Sequence, residues 1–331
     1  MRRRALLVAG FVAAVCAPLA CRKRRHFARF PGSAPPGGPG LRFIFEPRPD
    51  HAPEPGDSYQ ALVGRSVEVL SRRVGSLTDG GVVRPSATGG VEVFLPQGPA
   101  AMYEAFRRIA RVPGRFQILL VENDSAYMKG LAERVRGDAF EGVERAADAW
   151  STPKTGVQHE DIYLRGRDRQ TLLAVVEKLT AAVPLPSGRA ILLEKWIQDD
   201  IPRWRTYFVE TAGGIGNADV AEASPARGFN DDPQVQVVLT AQGRKTFGDM
   251  TTRGVGRKIA MVVDGDVLSA PVVATPIPGG RAYITTGSPS LDPAQLKEDV
   301  ADLALVLNSG PLPAPLMLMV EEQAQRIPAP G

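Results

Sequence analysis

The sequence predicts an α+β protein, with a ferredoxin-like (split β-α-β) base, an α+β head, and antiparallel sheets that carry helices on one face. Short alternating segments typical of strands, such as Leu41–Glu46 and Val91–Leu95, recur along the chain. Amphipathic helical stripes stand between them, as in residues 58–77. Hydrophobic residues make up 44% and charged residues 23% of the 331 residues. These values exclude a wholly disordered chain, a coiled coil and a polytopic membrane protein.

The base is predicted over residues 41–121, in the order strand, helix, strand, strand, helix, strand of a split β-α-β unit. Asp57 or Ser58 is expected to cap the first helix. A Gly-Gly turn is expected to join the two middle strands into a hairpin, and Pro99 to begin the second helix. Arg115–Val121 (RFQILLV) is predicted as the fourth strand of the base sheet.

The rest of the folded chain is divided by its patterns. Residues 122–205 are predicted as a mixed helical segment, because their clearest feature is the amphipathic stripe Leu172–Leu179. Residues 206–322 are predicted to form the head and the closing strands, since strand and helix patterns alternate there. Asp264-Gly265-Asp266 is typical of a tight hairpin turn. Residues 323–331 are interpreted as a tail.

The N-terminus has the order of an export signal. A basic start precedes an apolar run, Ala5–Ala20, that is short for a hydrocarbon core of about 30 Å. Residues 1–21 are therefore predicted as a signal peptide, and Cys21 stands where a bacterial lipoprotein signal has its lipidated residue. Residues 22–40 are basic at first and then rich in Gly and Pro, which predicts a disordered linker. The alternative is a single uncleaved N-terminal membrane anchor.

The net charge of +4 does not indicate a nucleic-acid-binding protein. Eight of the 40 basic residues, and none of the 36 acids, lie in residues 1–30. The rest of the chain is therefore net negative, and the positive charge belongs to the N-terminus. We expect no nucleic-acid partner, and we expect membrane contact through the N-terminus only.

The body of the chain offers few of the side chains that enzymes and metal sites use. The two cysteines, Cys16 and Cys21, lie in the predicted signal, which excludes a disulfide framework and a cysteine nucleophile in the body. Paired acids stand in turn-like sequence, where carboxylates cap and stabilise turns. His159 beside Glu160 and Asp161 is either a weak metal ligand or a residue of a solvated loop. We predict no catalytic residue, no cofactor and no metal site.

Several motifs of the C-terminal half form a recognisable pattern. Ile259–Pro271 (IAMVVDGDVLSAP) is followed by Pro276–Gly280 (PIPGG), an Ile-Thr strand and a final helix. Upstream, Val235–Phe247 supplies a strand and the start of a helix, and residues 65–121 supply a helix, a loop and the segment VEVFLP. This pattern resembles the first periplasmic domain of SecD, an accessory subunit of the bacterial protein-export translocase. The resemblance covers residues 65–121 and 206–322.

The resemblance singles out a set of signature residues, and we assign them to turns and packing rather than to chemistry. They are Asp264, Gly265, Ser269, Ala270, Pro271, Gly279, Gly280, Gly310 and Pro313. In SecD, this domain is followed by transmembrane helices that conduct protons. After the N-terminal signal, no apolar run of this chain approaches the roughly 20 residues of such a helix.

The resemblance implies a non-enzymatic protein of the periplasm or cell envelope. Such a protein would bind translocating or newly exported polypeptide, or dock on the protein-export machinery. The alternative is a lipoprotein scaffold or envelope interaction protein that keeps the fold without a role in export.

Overall fold

The computed structural model describes residues 29–30, 38–48, 58–136, 140–152, 155–198, 201–228, 231–285 and 292–325. The predicted signal peptide, with Cys21, lies outside these residues. The described helices are α1 (Tyr59–Leu77), α2 (Ala100–Ile109), α3 (Ala126–Ala132), α4 (Arg169–Ala182), α5 (Ala241–Arg253) and α6 (Pro293–Ser309). The described strands are β1 (Pro39–Pro47), β2 (Val82–Pro85), β3 (Val91–Pro96), β4 (Phe116–Leu120), β5 (Val143–Ser151), β6 (Gln158–Gly166), β7 (Arg189–Gln198), β8 (Ile201–Glu210), β9 (Ile215–Gly216), β10 (Val220–Arg227), β11 (Pro233–Leu239), β12 (Ile259–Val263), β13 (Asp266–Ser269), β14 (Arg281–Thr285) and β15 (Leu316–Gln325).

The base is an antiparallel sheet in the order β15-β1-β3-β2, with α1, α2 and part of α6 packed on one face. Helix α1 begins after Ser58, whose hydroxyl accepts a hydrogen bond from the helix, and α2 begins after Pro99, as the sequence predicts. Phe43, Phe45 and Phe106 pack together between sheet and helices. The predicted α+β class and ferredoxin-like base are confirmed.

The fourth strand of the base is not the one that the sequence predicts. Arg115–Val121 contributes β4, which pairs with β12 and β9 in the head. The edge beside β1 is taken by β15, which returns from the far end of the chain. The prediction was wrong because the apolar pattern of a strand does not indicate which other strand it pairs with. Both faces of β4 carry buried residues, which suits a strand between two cores better than a one-sided base sheet.

Residues 29 and 30 pack on the base, although the sequence places them in the disordered linker 22–40. Phe30 contacts the base core and pairs with Thr78 just after α1. Arg29 forms an ion pair with Asp302 of α6. Amino-acid composition is an average over a segment, so it does not reveal a single aromatic side chain that packs on an apolar surface. The strands likewise extend past the predicted limits, since β1 begins at Pro39 and β15 runs to Gln325, inside the predicted tail.

The head of the structure includes β4 and β7 in addition to the strands of the predicted head, residues 206–322. Five of its strands close into a ring. β8 pairs with β7, β7 with β13, β13 with β12, and β12 with β4. β4 then returns to β8 through an antiparallel bridge between Val121 and Val209, and the Glu122 N–H donates to the Phe208 carbonyl oxygen over 2.8 Å. The β7–β13 contact is parallel, which departs from the predicted antiparallel pairing. The ring is a small barrel with its own interior.

One face of each strand fills the ring, because side chains alternate between the two faces of a strand. The interior contains Leu119, Val121, Tyr207, Val209, Ala260, Val262 and Val267. The outer face of β4 and β12 packs against α5, α6 and the sheet β10-β11-β14. The outer face of β7 and β8 packs against α3 and α4. The ring is therefore held on two sides.

Residues 122–205 contain more strand than the predicted mixed helical segment. They include α3 and α4, but also the long strands β5, β6 and β7 and the start of β8. The strand β5 (VERAADAWS) was missed because it is made of charged and small residues rather than β-branched ones. Its Asp148 and Trp150 are half-buried against the ring, so tertiary contacts define this strand where its own propensity does not.

Helix α6 joins the base to the head. It contributes Leu305 and Val306 to the base core and Val300, Ala304 and Leu307 to the head core. Next to it, Arg73 of α1 is fully buried and donates to the carbonyl oxygens of Ile109 (2.5 Å) and Val112 (2.7 Å). Burial lowers the pKa of Arg73 to about 10, so it is still charged at neutral pH. The junction is thus both apolar and hydrogen-bonded.

Candidate functional site

The hairpin of β5 and β6 leaves the ring and folds back over one of its ends. β6 joins β8 through the pairs Arg165–Arg205 and Gly166–Trp204. On its other side, β6 pairs with β5 along the whole length of both nine-residue strands, so most of the hairpin extends past the junction with β8. The far part of the hairpin is instead fastened by side chains, at the end of the ring that lies near Tyr207. We call this end the mouth.

At the mouth, charged residues occupy the strand positions that continue the inward-facing apolar series of the ring. Lys258 precedes Ala260 and Val262 by two and four positions, so alternation places it on the same face. By the same count, Glu194 follows Ala190 and Leu192, and Arg205 precedes Tyr207 and Val209. The hairpin adds Asp148 and Asp161. We define the mouth cluster as Asp148, Asp161, Glu194, Arg205, Tyr207 and Lys258.

Lys258 sits between the two acids of the hairpin. Its Nζ lies 2.6 Å from Asp161 Oδ2 and 3.1 Å from Asp148 Oδ2. It also lies 4.8 Å from the centre of the Trp150 ring, a cation–π distance. The side chains of Lys258 and Asp161 are 8% and 6% exposed. A buried ion pair of this kind joins the ring to the hairpin.

Arg205 connects Glu194, the third acid of the mouth cluster, to Asp148. It pairs with Glu194 and reaches Asp148 Oδ2 over 3.2 Å. Its guanidinium carbon lies 5.0 Å from the centre of the Tyr207 ring, and the Tyr207 hydroxyl donates to Glu194 Oε2 over 3.2 Å. Two cationic side chains therefore hold three carboxylates at the mouth.

The two hairpin acids have pKa values displaced in opposite directions. For Asp161, burial raises the pKa, and the attraction of Lys258 offsets this only in part. For Asp148, burial acts the same way, but Lys258 and Arg205 together outweigh it and lower the pKa. Burial raises the pKa of Tyr207 well above its ordinary value, so its hydroxyl remains a donor. The mouth cluster is therefore a network of ion pairs that holds the hairpin against the ring. Asp161 is the acid in it whose pKa is raised.

A second set of contacts fastens the tip of the hairpin. The Trp150 indole N–H donates to the carbonyl oxygen of Gly256 over 2.9 Å, and the Trp150 ring stacks on His159. His159 lies between Asp124, at 3.0 Å from Nδ1, and the Thr152 hydroxyl, at 3.0 Å from Nε2. His159 is therefore a packed residue, so the solvated-loop interpretation of the sequence is wrong.

Asp124, His159 and Thr152 are arranged in the order of a carboxylate, imidazole and hydroxyl relay. Whether such a relay can act on a substrate depends on how accessible the hydroxyl is to solvent. Thr152 is 3% exposed, so an acyl substrate cannot reach its oxygen. A β-carbon on Gly256 would lie 2.4 Å from that same oxygen, which shows how tightly it is covered. The relay is accordingly a structural clamp. Among the described residues, no group of three or more His, Cys, Asp or Glu is placed to hold a metal ion.

The structure does not gather the signature residues at the mouth. Asp264 and Gly265 form the β12–β13 turn, both with positive φ (53° and 89°). Of the glycine pair before β14, Gly280 has a positive φ (63°) and Gly279 does not. The others lie along two connections: Ser269, Ala270 and Pro271 after β13, and Gly310 and Pro313 after α6.

Two of these residues do more than the sequence predicts. Asp264 was assigned to the turn alone, yet its Oδ1 accepts the backbone N–H of Arg115 over 2.8 Å at the start of β4. Gly310 ends α6 with φ 80°, and its carbonyl oxygen lies 3.4 Å from an Arg73 nitrogen. The Ser269 hydroxyl is buried and has no hydrogen-bond partner among the described residues.

The mouth cluster itself was missed by sequence reasoning. A usable signal exists, because Lys258, Glu194 and Arg205 each continue the alternation of buried residues in their strands. A charge at a core position requires a partner, since a lone buried charge is costly. The partners Asp148 and Asp161 are 57 and 97 residues from their cations Arg205 and Lys258, so the sequence does not identify them.

Comparison with known proteins finds relatives of the head region. Residues 194–314 match the family model described as SecDF, P1 head subdomain. The protein translocase subunit SecDF of Thermus thermophilus is 39% identical over 102 residues, 31% of this chain and 13% of that protein. The subunit SecD of Rhodobacter capsulatus is 27% identical over 230 residues, 63% of this chain and 39% of that protein.

Among solved structures, a crystal structure of SecDF in its super-membrane-facing form superposes with a TM-score of 0.52. The identity is 20%, and the match covers 86% of this chain and 30% of that one. At this identity the superposition shows a common fold. Residues 194–314 are thus similar to the SecDF P1 head subdomain, and the predicted resemblance to the first periplasmic domain of SecD is confirmed.

The match concerns a part of the relatives. The chain spans 13% and 39% of the length of the two translocase subunits named above. Within the residues that the structure describes, no helix is long and apolar enough to cross a membrane.

Proposed function

We propose that this chain is a non-enzymatic module of protein export, which contacts exported polypeptide or the export machinery on the far side of the membrane. The observation that carries the proposal is the match of residues 194–314 to the SecDF P1 head subdomain. It is supported by relatives that are named protein translocase subunits and that align with up to 63% of this chain.

The physical requirement for such a module is a firm surface that accepts extended chain. Extended polypeptide is commonly bound by adding a strand to a sheet edge, because main-chain hydrogen bonds do not depend on its sequence. The outer strand of the hairpin, β5, supplies the edge, because it stands at the end of its sheet and pairs on one side with β6. The mouth cluster and the clamp around His159 hold the hairpin in place, so it binds without first having to become ordered.

The geometry of the Asp124, His159 and Thr152 relay supports a non-enzymatic role. Its hydroxyl, on Thr152, is buried beneath Gly256. A nucleophile must reach its substrate to act. The relay instead links β6 to the loop that follows β4, through Asp124.

For location, we propose the periplasm or cell envelope, with Cys21 lipidated. The packed chain includes Arg29, which follows Cys21 by only eight Cα–Cα steps. Fully extended, they reach at most about 28 Å, which would keep the base close to the membrane. Changing Cys21→Ser should release the protein from the membrane or leave an unprocessed precursor. Unchanged membrane association and mass would favour the single N-terminal anchor.

The experiment for the proposed function is mild crosslinking in envelope membranes, with recovery of the full chain and identification of its partners by mass spectrometry. We expect translocase subunits or many unrelated exported polypeptides, enriched over a sample without crosslinker. Recovery of one fixed envelope protein, with neither of these classes, would contradict the proposal and favour a scaffold without a role in export.

A further inference from the structure

We infer that the outer edge of β5, residues 143–151, is the place where extended polypeptide binds, by adding a strand to the hairpin. The inference rests on the proposed function and adds its site. β5 stands at the end of its sheet and pairs on one side with β6. Its nine residues contain no proline, and the register with β6 runs without a bulge from Val143–Gly166 to Ser151–Gln158.

An unpaired edge is normally protected against strand addition, because its free N–H and C=O groups attract any extended chain. The other described sheet edges show such protection. β10 contains Pro225, and the side-chain amide of Asn308 both accepts from the Ala223 N–H and donates to its carbonyl oxygen, each over 2.7 Å. The side chain thus takes the place of a neighbouring strand.

The edges of the base are protected in other ways. β2 has four residues and ends at Pro85. β15 carries a bulge where its register with β1 shifts between Ile44 and Phe45. Both devices discourage a further strand.

The remaining edges are short. β9 has two residues and β14 has five, against nine in β5. A ladder of two or five residues gives few main-chain hydrogen bonds, whereas nine residues give a ladder of the length of an ordinary strand. β5 also carries charged side chains, since Glu144 pairs with Arg165 and Asp148 pairs with Lys258 and Arg205. Its nine-residue length, its lack of proline and its unbroken register with β6 therefore single it out.

The side chains of β5 fit an extended partner of unspecified sequence. Ala147 and Ala149 are small and exposed, so partner side chains beside them meet open space. On the other face, Asp148 and Trp150 are turned to the ring and held there by Lys258 and by the Gly256 carbonyl oxygen. The edge is therefore rigid in the backbone and permissive in the side chains, as sequence-independent binding requires.

The test is the binding of a fluorescently labelled, reduced and carboxymethylated α-lactalbumin, which is permanently unfolded, to the full chain. Ala147→Lys with Ala149→Lys places charges along the edge without touching the mouth cluster. We expect this variant to bind at least about tenfold more weakly. The matched control, Ala181→Lys with Ala182→Lys, adds the same charge on exposed positions of α4 and should bind like the parent.

Hydrogen exchange locates the bound segment independently of the variants. On addition of the unfolded protein, we expect slower deuterium uptake in residues 143–151 and no change in residues 169–182. Binding that protects another region, or that survives the edge charges, would overturn the inference and leave the proposed function standing. Absence of any binding to unfolded protein, with export partners still recovered by crosslinking, would overturn the inference in favour of docking on the machinery. Absence of both would overturn both proposals.

A second copy of this chain is the competing occupant of the edge. Sedimentation of the parent and of the edge variant distinguishes it. We expect both to sediment alike. Dimerisation of the parent that the lysines abolish would overturn the inference, because the edge would then be occupied by itself.

Discussion

Lys258 and Asp161 form a buried ion pair that joins the ring of the head to its hairpin, with 2.6 Å between the ammonium nitrogen and Asp161 Oδ2. Because the two residues are 97 positions apart, the pair stabilises tertiary structure and not a local element. Removal of one partner from a buried pair leaves an uncompensated charge, which is more harmful than loss of the attraction itself.

Changing Lys258→Met should therefore lower the free energy of unfolding by about 3–5 kcal/mol. Urea denaturation measures this directly. The matched control is Lys245→Met, on the exposed side of α5, which should change stability by less than about 0.5 kcal/mol. Adding Asp161→Leu to Lys258→Met should restore part of the loss, since it removes the orphaned acid. Equal stability of Lys258→Met and its control would contradict the buried pair.

Asp161 should make stability fall as the pH rises. Burial raises its pKa in the folded protein, so the folded state holds the proton more tightly than the unfolded state. Its contribution is fully present below the unfolded pKa of about 3.9, and is lost as the pH rises through the higher folded pKa. Unfolding free energies measured across pH for the parent and Asp161→Asn should differ by this slope. Asp79→Asn, an exposed control, should retain the slope.

Glu92 should act with the opposite sign. Burial alone would raise its pKa, but hydrogen bonds from Arg42 and Arg84 on the neighbouring strands outweigh burial and lower it. Its contribution is present above the unfolded pKa and is lost as the pH falls through the lower folded pKa. Glu92→Gln should cost about 1–3 kcal/mol at neutral pH and should flatten the acid limb of the stability profile. An unchanged acid limb would argue against this carboxylate.

Gly256 should tolerate no side chain. Its φ is 85°, and a β-carbon would lie 2.4 Å from Thr152 Oγ1 and 2.6 Å from His159 Nε2. Gly256→Ala should lower the free energy of unfolding by about 1–3 kcal/mol and speed hydrogen exchange in the hairpin. Gly64→Ala is the control, because that glycine lies in α1 with open space around it, and helix propensity should make the change neutral or stabilising. Similar results for the two variants would contradict the clamp.

Local patterns in the sequence were sufficient for the elements of the base. Ser58, Pro99 and the Gly-Gly turn mark ends that the structure reproduces, because caps and turns depend on a few neighbouring residues. The partner of a strand is a non-local property, and β4 shows the consequence. Its pattern was recognised, but its place beside β12 depends on residues 259–263, more than 130 positions away.

The candidate site was harder to predict than the fold. Asp148 and Asp161 look like residues of a solvated surface until Lys258 and Arg205 are brought to them. His159 was recognised as unusual, but its role depends on Asp124 and Thr152, which surround it only in the folded chain. The signature residues were recognisable for the opposite reason: turns such as Asp264-Gly265 have a local sequence pattern.

The most direct measurement of the central claim compares one polypeptide in two states. Fluorescence anisotropy of labelled α-lactalbumin is followed as the full chain is added, once with the reduced, carboxymethylated protein and once with the native, disulfide-bonded protein. We expect saturable binding of the unfolded form and at least about tenfold weaker binding of the folded form, since only an extended backbone can complete a sheet edge. Equal binding of the two forms would contradict the claim that this chain recognises extended polypeptide.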